Sequence, residues 1–225
     1  MPTGRQVLDL YAGQAWATRA HAWVRWHTCP FPEVAAAVPR AGRVLEVGCG
    51  HGLFSTYLAL SSAERHVLGV DLDAAKVAAA RAAAVRARRQ GAHVAFEVRA
   101  SGELPPGPWD AVTVVDVLYL LDPSAQRRLL ADCAAALAPG GVLVVKELVV
   151  KEMGDRPRWK ARWNLAQETV SVRLLGLTAG RALAFLPPQE LVGVLREVGL
   201  EVWSRRLDLG RPHPHLLLVG VAPRA

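Results

Sequence analysis

The stretch VLEVGCGHG, residues 44–52, decides the fold. An apolar run carrying Glu46 breaks into Gly48, Gly50 and Gly52, and an apolar segment rich in helix formers follows at once. A strand that dissolves into glycines and re-forms as a helix puts bare backbone where a ligand can approach closely. The spacing is E-x-G-x-G-x-G. A dinucleotide site would read G-x-G-x-x-G and would need glycine at position 53, which is Leu53.

Outward from this loop, short β-branched runs alternate with alanine- and leucine-rich helical patterns, the mark of βαβ units around a parallel sheet. The runs are RVLEV (43–47), HVLGVD (66–71), HVAFEV (93–98), WDAVTVV (109–115) and GVLVVKE (141–147), with helices expected at 52–61, 73–90 and 123–137. Asp73 and Asp122 are the expected N-caps, the second followed by proline at the first helical position. APGG (138–141) should end the third helix and turn the chain into the fifth strand. A helix over 188–198 and two strands, EVWSRRLDL and HLLLVGV, complete the pattern. The link GRPHP is too short for a parallel crossover, so the last strand must run antiparallel. The expected architecture is a doubly wound, Rossmann-like α/β sheet of seven strands in a single domain. Residues 1–42 form a helical cover, 43–147 the ligand-binding core, 148–186 a helical lid, and 187–225 the closing helix and strand pair.

The second element is VLGVDLD, residues 67–73, an apolar strand that ends in a carboxylate nineteen positions after Gly52. A carboxylate at the tip of the second strand can accept from two adjacent ribose hydroxyls. Asp71 fits that role, and Leu72 would lie on an adenine face; Asp73 is committed to the cap.

Together with WDAVTVVDVLYLLD (109–122) and LAPGGVLVVKE (137–147), these motifs resemble the class I S-adenosylmethionine-dependent methyltransferases, in the branch acting on small molecules. The resemblance runs from Val44 to Val221. It implies S-adenosyl-L-methionine as cofactor, with Glu46, Gly48, Cys49, Gly50 and Gly52 along its methionine part, Asp71 on the ribose and the main chain of Asp116 toward the methionine ammonium. One position departs from the family. The aspartate that usually follows the third strand and binds the adenine amino group aligns with Ala100, so Ser101 or main-chain groups must take that contact. The pairing of CPF (29–31) with GHGLFS (50–55) also resembles bacterial methyltransferases that accompany lipid or polyene assembly.

In an open α/β sheet, ligands bind outside the carboxyl ends of the strands. Asp116 and Tyr119 follow the fourth strand, Glu147 ends the fifth, and the turn over 211–215 brings His213 and His215 to the same edge. Methyl transfer requires positioning of the nucleophile and, for a hydroxyl or amine, removal of its proton. Histidine is the usual base near neutral pH. His213 and His215 are the candidates, with solvent- or substrate-contacting turn residues as the plainer alternative and Asp116, Tyr119 and Glu147 as fallback bases.

Two further segments should set specificity. Residues 158–177 carry Trp159, Trp163, Ala166, Val170, Leu174 and Leu177 at helical spacing, an amphipathic lid that could touch a membrane surface. Residues 8–26 carry Trp16, Trp23 and Trp26 and could cover the cofactor from the other side. Either stripe could equally be core.

The composition narrows the alternatives. No apolar stretch of the 225 residues approaches the ~18 that a spanning helix needs, and the first residues do not read as a secretory signal, so a cytoplasmic location is expected. Cys29, Cys49 and Cys133 are odd in number and widely separated, which suits reduced thiols rather than disulfides or a metal site; no metal is expected. The net charge of +7 would suit nucleic acid. Four of the five arginines between 81 and 99 fall on one helix toward its carboxyl end, where the macrodipole favours them. A second basic excess lies between 146 and 181. A nucleic-acid methyltransferase would often carry Asn/Asp-Pro-Pro-Tyr/Phe after the fourth strand, where this chain reads DVLYLL. A non-catalytic cofactor-binding partner subunit remains the other alternative. A small, apolar acceptor fits best.

Overall fold

The computed structural model describes residues 1–148, 183–207 and 215–224. In chain order the elements are α1 (Gly4–Asp9), α2 (Trp16–Thr28), α3 (Phe31–Ala35), β1 (Gly42–Val47), α4 (Leu53–Ser61), β2 (Arg65–Asp71), α5 (Ala74–Arg88) and β3 (His93–Val98). They continue with β4 (Trp109–Val115), a short 3-10 turn (Leu118–Leu120), α6 (Pro123–Ala135), β5 (Leu137–Leu148), α7 (Pro188–Glu197), β6 (Glu201–Arg206) and β7 (His215–Val221).

The seven strands form one sheet in the order β3-β2-β1-β4-β5-β7-β6. Strands β1 to β5 pair in parallel, and β7 runs antiparallel between β5 and β6. The expected fold is therefore the observed one, including the reversed last strand. From β3 at one edge the chain returns across β2 and β1 to begin β4. The crevice between β1 and β4 is thus the topological switch point, where ligands of such sheets bind.

Both faces of the sheet are covered, which explains why its strands read as near-continuous apolar runs. Val44, Val67 and Val144 face a core completed by α1 to α5, whereas Leu45, Val70 and Val145 face one completed by α6 and α7. The two cap assignments hold: Asp73 accepts from the N–H groups of Ala75 and Lys76, and Asp122 from that of Ala125. The arginines of α5 are tied down locally, Arg81 to the Phe96 carbonyl, Arg86 to that of Asp9 and Arg88 to that of Val94.

The observed boundaries differ from expectation in one instructive place. Strand β5 begins at Leu137, which pairs with Trp109, and a register shift follows before Ala111 meets Val142. APGG is a kink inside the strand, with Gly140 at φ +73°, rather than the turn that precedes it. The expected strand over 201–209 is β6 up to Arg206; residues 208–210 lie outside the described residues.

The amino-terminal helices are fastened to the sheet by Arg65, which is buried. Its guanidinium donates to the carbonyls of Ala35, Val38, Pro39 and Leu58 and to Ser61 Oγ. One cation thus serves the carboxyl ends of both α3 and α4, where the helix dipoles favour positive charge. Among the described residues no helix is long and apolar enough to cross a membrane.

Candidate active site

A cavity of about 1430 Å³ opens over the carboxyl ends of β1, β2, β4 and β5, roofed by α2. Single small-ligand sites are typically about 300–1,000 Å³, so two ligands can share this space.

Its floor is the glycine loop. Gly48, Gly50 and Gly52 all have positive φ, at +74°, +53° and +74°. The three serve different purposes. A Cβ on Gly48 would meet Val117 at 2.5 Å and one on Gly52 would meet the Phe96 ring at 2.5 Å, so these two glycines let the protein pack on itself. A Cβ on Gly50 would meet nothing within 4 Å. Its face is open to the cavity.

Asp71 holds this loop from the side. Its Oδ2 accepts from the Gly50 N–H at 2.7 Å and its Oδ1 from the Asp73 N–H at 2.9 Å. A carboxylate offers about four lone-pair sites, which leaves capacity toward the cavity it lines. Below it, buried Glu46 accepts from Ser55 Oγ, and burial pushes its carboxyl up to about 7.

At the β4–β5 side lies a buried ionic cluster. Lys146 Nζ stands 2.5 Å from Asp116 Oδ1, and Arg25 Nη1 of α2 stands 2.8 Å from Asp116 Oδ2. Asp116 has φ +57°, the one non-glycine residue with positive φ among the described residues. Burial raises its pKa, but the Lys146 ammonium and the Arg25 guanidinium overcome that and hold the carboxyl well below the usual range. Beside the cluster, His215 Nε2 lies 3.0 Å from the Thr28 carbonyl, joining the start of β7 to the end of α2.

A second contact joins α2 to the glycine loop. The rings of His21 and His51 meet at 4.6 Å between centroids, tilted by 46°, and the Tyr11 hydroxyl donates to the His51 carbonyl at 2.9 Å. Burial, with His51 close by, pushes His21 down to about 3, so the ring is neutral near pH 7.

Comparison with known proteins agrees with this geometry. Residues 45–143 match the methyltransferase domain family. The chain is 31% identical over 210 residues to the ubiquinone biosynthesis O-methyltransferase of Xylella fastidiosa strain 9a5c, covering 85% of this chain and 79% of that one. The chain belongs to the class I S-adenosylmethionine-dependent methyltransferases. The fold of this methyltransferase is shared with an O-methyltransferase family protein from Burkholderia thailandensis, at TM-score 0.71 and 24% identity. That match covers 96% of this chain but only 62% of the other. Magnesium protoporphyrin IX methyltransferase from Synechocystis PCC 6803, solved with S-adenosylhomocysteine bound, matches at TM-score 0.64 and 18% identity over 97% and 94% of the two chains.

Most residues singled out from the methyltransferase sequence meet in the one cavity: Glu46, Gly48, Cys49, Gly50, Asp71, Leu72, Ser101, Asp116, Tyr119 and His215 all line it. Gly52 lies just behind, capping α4. Tyr119 sits in the 3-10 turn with its ring stacked on Phe185 at 5.3 Å. His213 and the lid over 158–177 lie outside the described residues.

Two of the fallback bases have other partners in the fold. Asp116 is paired on both oxygens with cations, and a carboxylate so held is a poor proton acceptor. Glu147 faces the opposite side of β5 from Lys146, and its Oε1 accepts from the N–H groups of Val117 and Leu118 at 3.0 and 2.8 Å. It shapes the turn after β4 from beneath. Of the tryptophans in α2, only Trp26 packs against the core, where it meets Phe31 and Tyr57; Trp16 is 80% exposed at the cavity rim and Trp23 is 56% exposed. No cluster of potential metal ligands occurs among the described residues. The residues that sequence reasoning missed are Arg25 and Lys146. The available signal was Lys146-Glu147 at the end of an apolar strand covered on both faces, where each charge needs a partner.

Proposed function

We propose that this chain transfers a methyl group from S-adenosylmethionine to a small apolar acceptor bound in the same cavity. The observation that carries this reading is the open face of Gly50 beside Asp71. Of the three loop glycines, this one is not needed for protein packing, and its freedom is explained by a ligand lying against it.

The residues present fit that cofactor. Glu46, Gly48, Cys49, Gly50 and Gly52 would form the bed for its methionine part, Asp71 would accept from its ribose, and Leu72 and Ser101 would border its adenine, with the Asp116 main chain near its ammonium. When bound, the cofactor supplies a methyl carbon already activated by its sulfonium. The protein's share is then to orient the acceptor, exclude water and take a proton from a hydroxyl or amine.

For the proton, His215 is the proposed base, with His213 the second candidate in the same turn. The Nε2–H donates to the Thr28 carbonyl, so Nδ1 is the proton-accepting nitrogen of the neutral ring. Tyr119, across the cavity, would contact the acceptor. The apolar walls, including Phe31, Leu53, Phe54 and Leu148, support an apolar acceptor body. So does the relative named for ubiquinone biosynthesis. A membrane-surface contact through residues 158–177 would fit an acceptor of that kind.

Incubating the protein with methyl-labelled S-adenosylmethionine and a cell extract tests the reading. Label should enter organic-soluble material. Label in nucleic acid, or in no fraction, would contradict it.

A further inference from the structure

Strand β6 ends the sheet on one side, and among the described residues only β7 pairs with it. Its six residues keep a regular register against β7, with neither a bulge nor a proline to blunt the edge. The Leu207 N–H donates to the His215 carbonyl, which fixes the alternation along the ladder. Trp203 and Arg205 turn their backbone groups toward β7, whereas Val202 and Ser204 turn theirs outward. Side chains alternate with the same period. Val202 packs into the core under α7, so Glu201, Trp203 and Arg205 share the opposite face, where all three are exposed, Trp203 to 47%.

An acid and a base thus stand two positions to either side of an exposed tryptophan on a free strand edge, and that pattern is complementary to itself. In an antiparallel pair of two β6 strands with the two-fold axis at Trp203, each Glu201 lies opposite Arg205 of the other copy, and the two tryptophans meet at the centre. Centring the pair on Val202 or Ser204 instead sets one charge against a tryptophan and the other past the end of the strand. The outward-turned groups of Val202 and Ser204 supply the hydrogen bonds in the same register, each residue bonding to the other in the second copy. The tryptophan and charge pairs then fall at the non-hydrogen-bonded positions, where opposed side chains come closest.

We propose that this edge is a homodimer interface, formed by antiparallel pairing of β6 with β6 of a second copy of this chain. A closed two-fold contact removes the open edge from both copies. A strand edge alone is a small interface, and the other face enlarges it. There a groove of about 410 Å³ runs between α7 and β6, lined by Val192, Gly193, Leu216 and Leu218 among others, and a Cβ on Gly193 would meet nothing within 4 Å. The two-fold axis sets the grooves of the two copies side by side, so each α7 covers apolar surface of the other. None of these residues lines the large cavity, so the pairing does not depend on the reading of that site.

Sedimentation velocity of the wild-type protein over a concentration series should show a monomer–dimer equilibrium. Glu201→Arg sets like charges opposite each other and should weaken dimerisation at least about tenfold. Combining Glu201→Arg with Arg205→Glu should restore it. Trp203→Cys should yield a disulfide-linked dimer on mild oxidation, because opposed non-hydrogen-bonded positions lie about 4.5 Å apart between Cα atoms, within the roughly 4.4–6.8 Å that a disulfide spans. The native cysteines are all buried. Val98→Cys, on β3 at the far edge of the sheet, should not cross-link. Every substituted side chain is exposed, so the monomer fold is kept. A wild-type protein that stays monomeric throughout the series overturns the proposal, and this measurement needs no variant. A dimer that Glu201→Arg leaves intact, or that the double exchange fails to restore, also overturns it, because the copies would then meet through another surface or register. Cross-linking of Val98→Cys as readily as Trp203→Cys counts against it in the same way.

Discussion

Lys146 Nζ lies 2.5 Å from Asp116 Oδ1, and both side chains are shut away from solvent. The pair ties the end of β5 to the first residue after β4, at the point where the backbone takes its positive φ. Strain of that kind persists only where surrounding contacts over-determine it.

Removing the two partners should therefore have unequal effects. Asp116→Asn strands a fully buried ammonium and should cost about 3–5 kcal/mol, the range for breaking a buried pair from one side. Lys146→Met leaves Asp116 with Arg25 and should cost clearly less. Urea denaturation of the two variants checks the order; equal losses would mean that Arg25 does not compensate.

Glu147 gives a pH signature. Burial, reinforced by the Asp116 carboxylate, pushes it up to about 8 from an ordinary 4.5. The folded state thus holds a proton that the unfolded state releases, and the associated stability is full below about 4.5 and is lost as pH rises through 8. Glu147→Gln cannot ionise and can still accept from Val117 and Leu118. Relative to wild type, its stability should rise between pH 5 and pH 9 in denaturation at the two values. A difference that does not change with pH would show that Glu147 is already ionised in the fold.

The glycine loop separates packing from binding. Gly52→Ala combines left-handed strain with a collision against Phe96 and should unfold or severely destabilise the protein. Gly50→Ala has only the strain, about 1–2 kcal/mol. It should fold while losing affinity for S-adenosylhomocysteine, as followed by thermal melts with and without ligand. Unimpaired binding by Gly50→Ala would remove the open face from the site.

What was legible in the sequence is what local pattern encodes. Strand and helix periods, the caps at Asp73 and Asp122 and the glycine spacing each depend on neighbours a few residues apart, and the short GRPHP link dictated the reversal of β7. The Arg25–Asp116 contact joins residues 91 positions apart, and no periodicity records such a pairing. Asp116 and Glu147 were placed correctly at the strand ends, but their roles turned on which face of the strand each carboxylate met. The early start of β5 was hidden because APGG reads as a turn, while Leu137 still finds a partner in Trp109.

The most direct test of the account is calorimetric titration of S-adenosylhomocysteine into the wild-type protein and Asp71→Ala. The account predicts binding by the wild type and a loss of roughly 1.5–3 kcal/mol in the variant, the range for hydrogen bonds to a charged group. Unchanged affinity in a folded Asp71→Ala variant, or no binding by the wild-type protein, would contradict it.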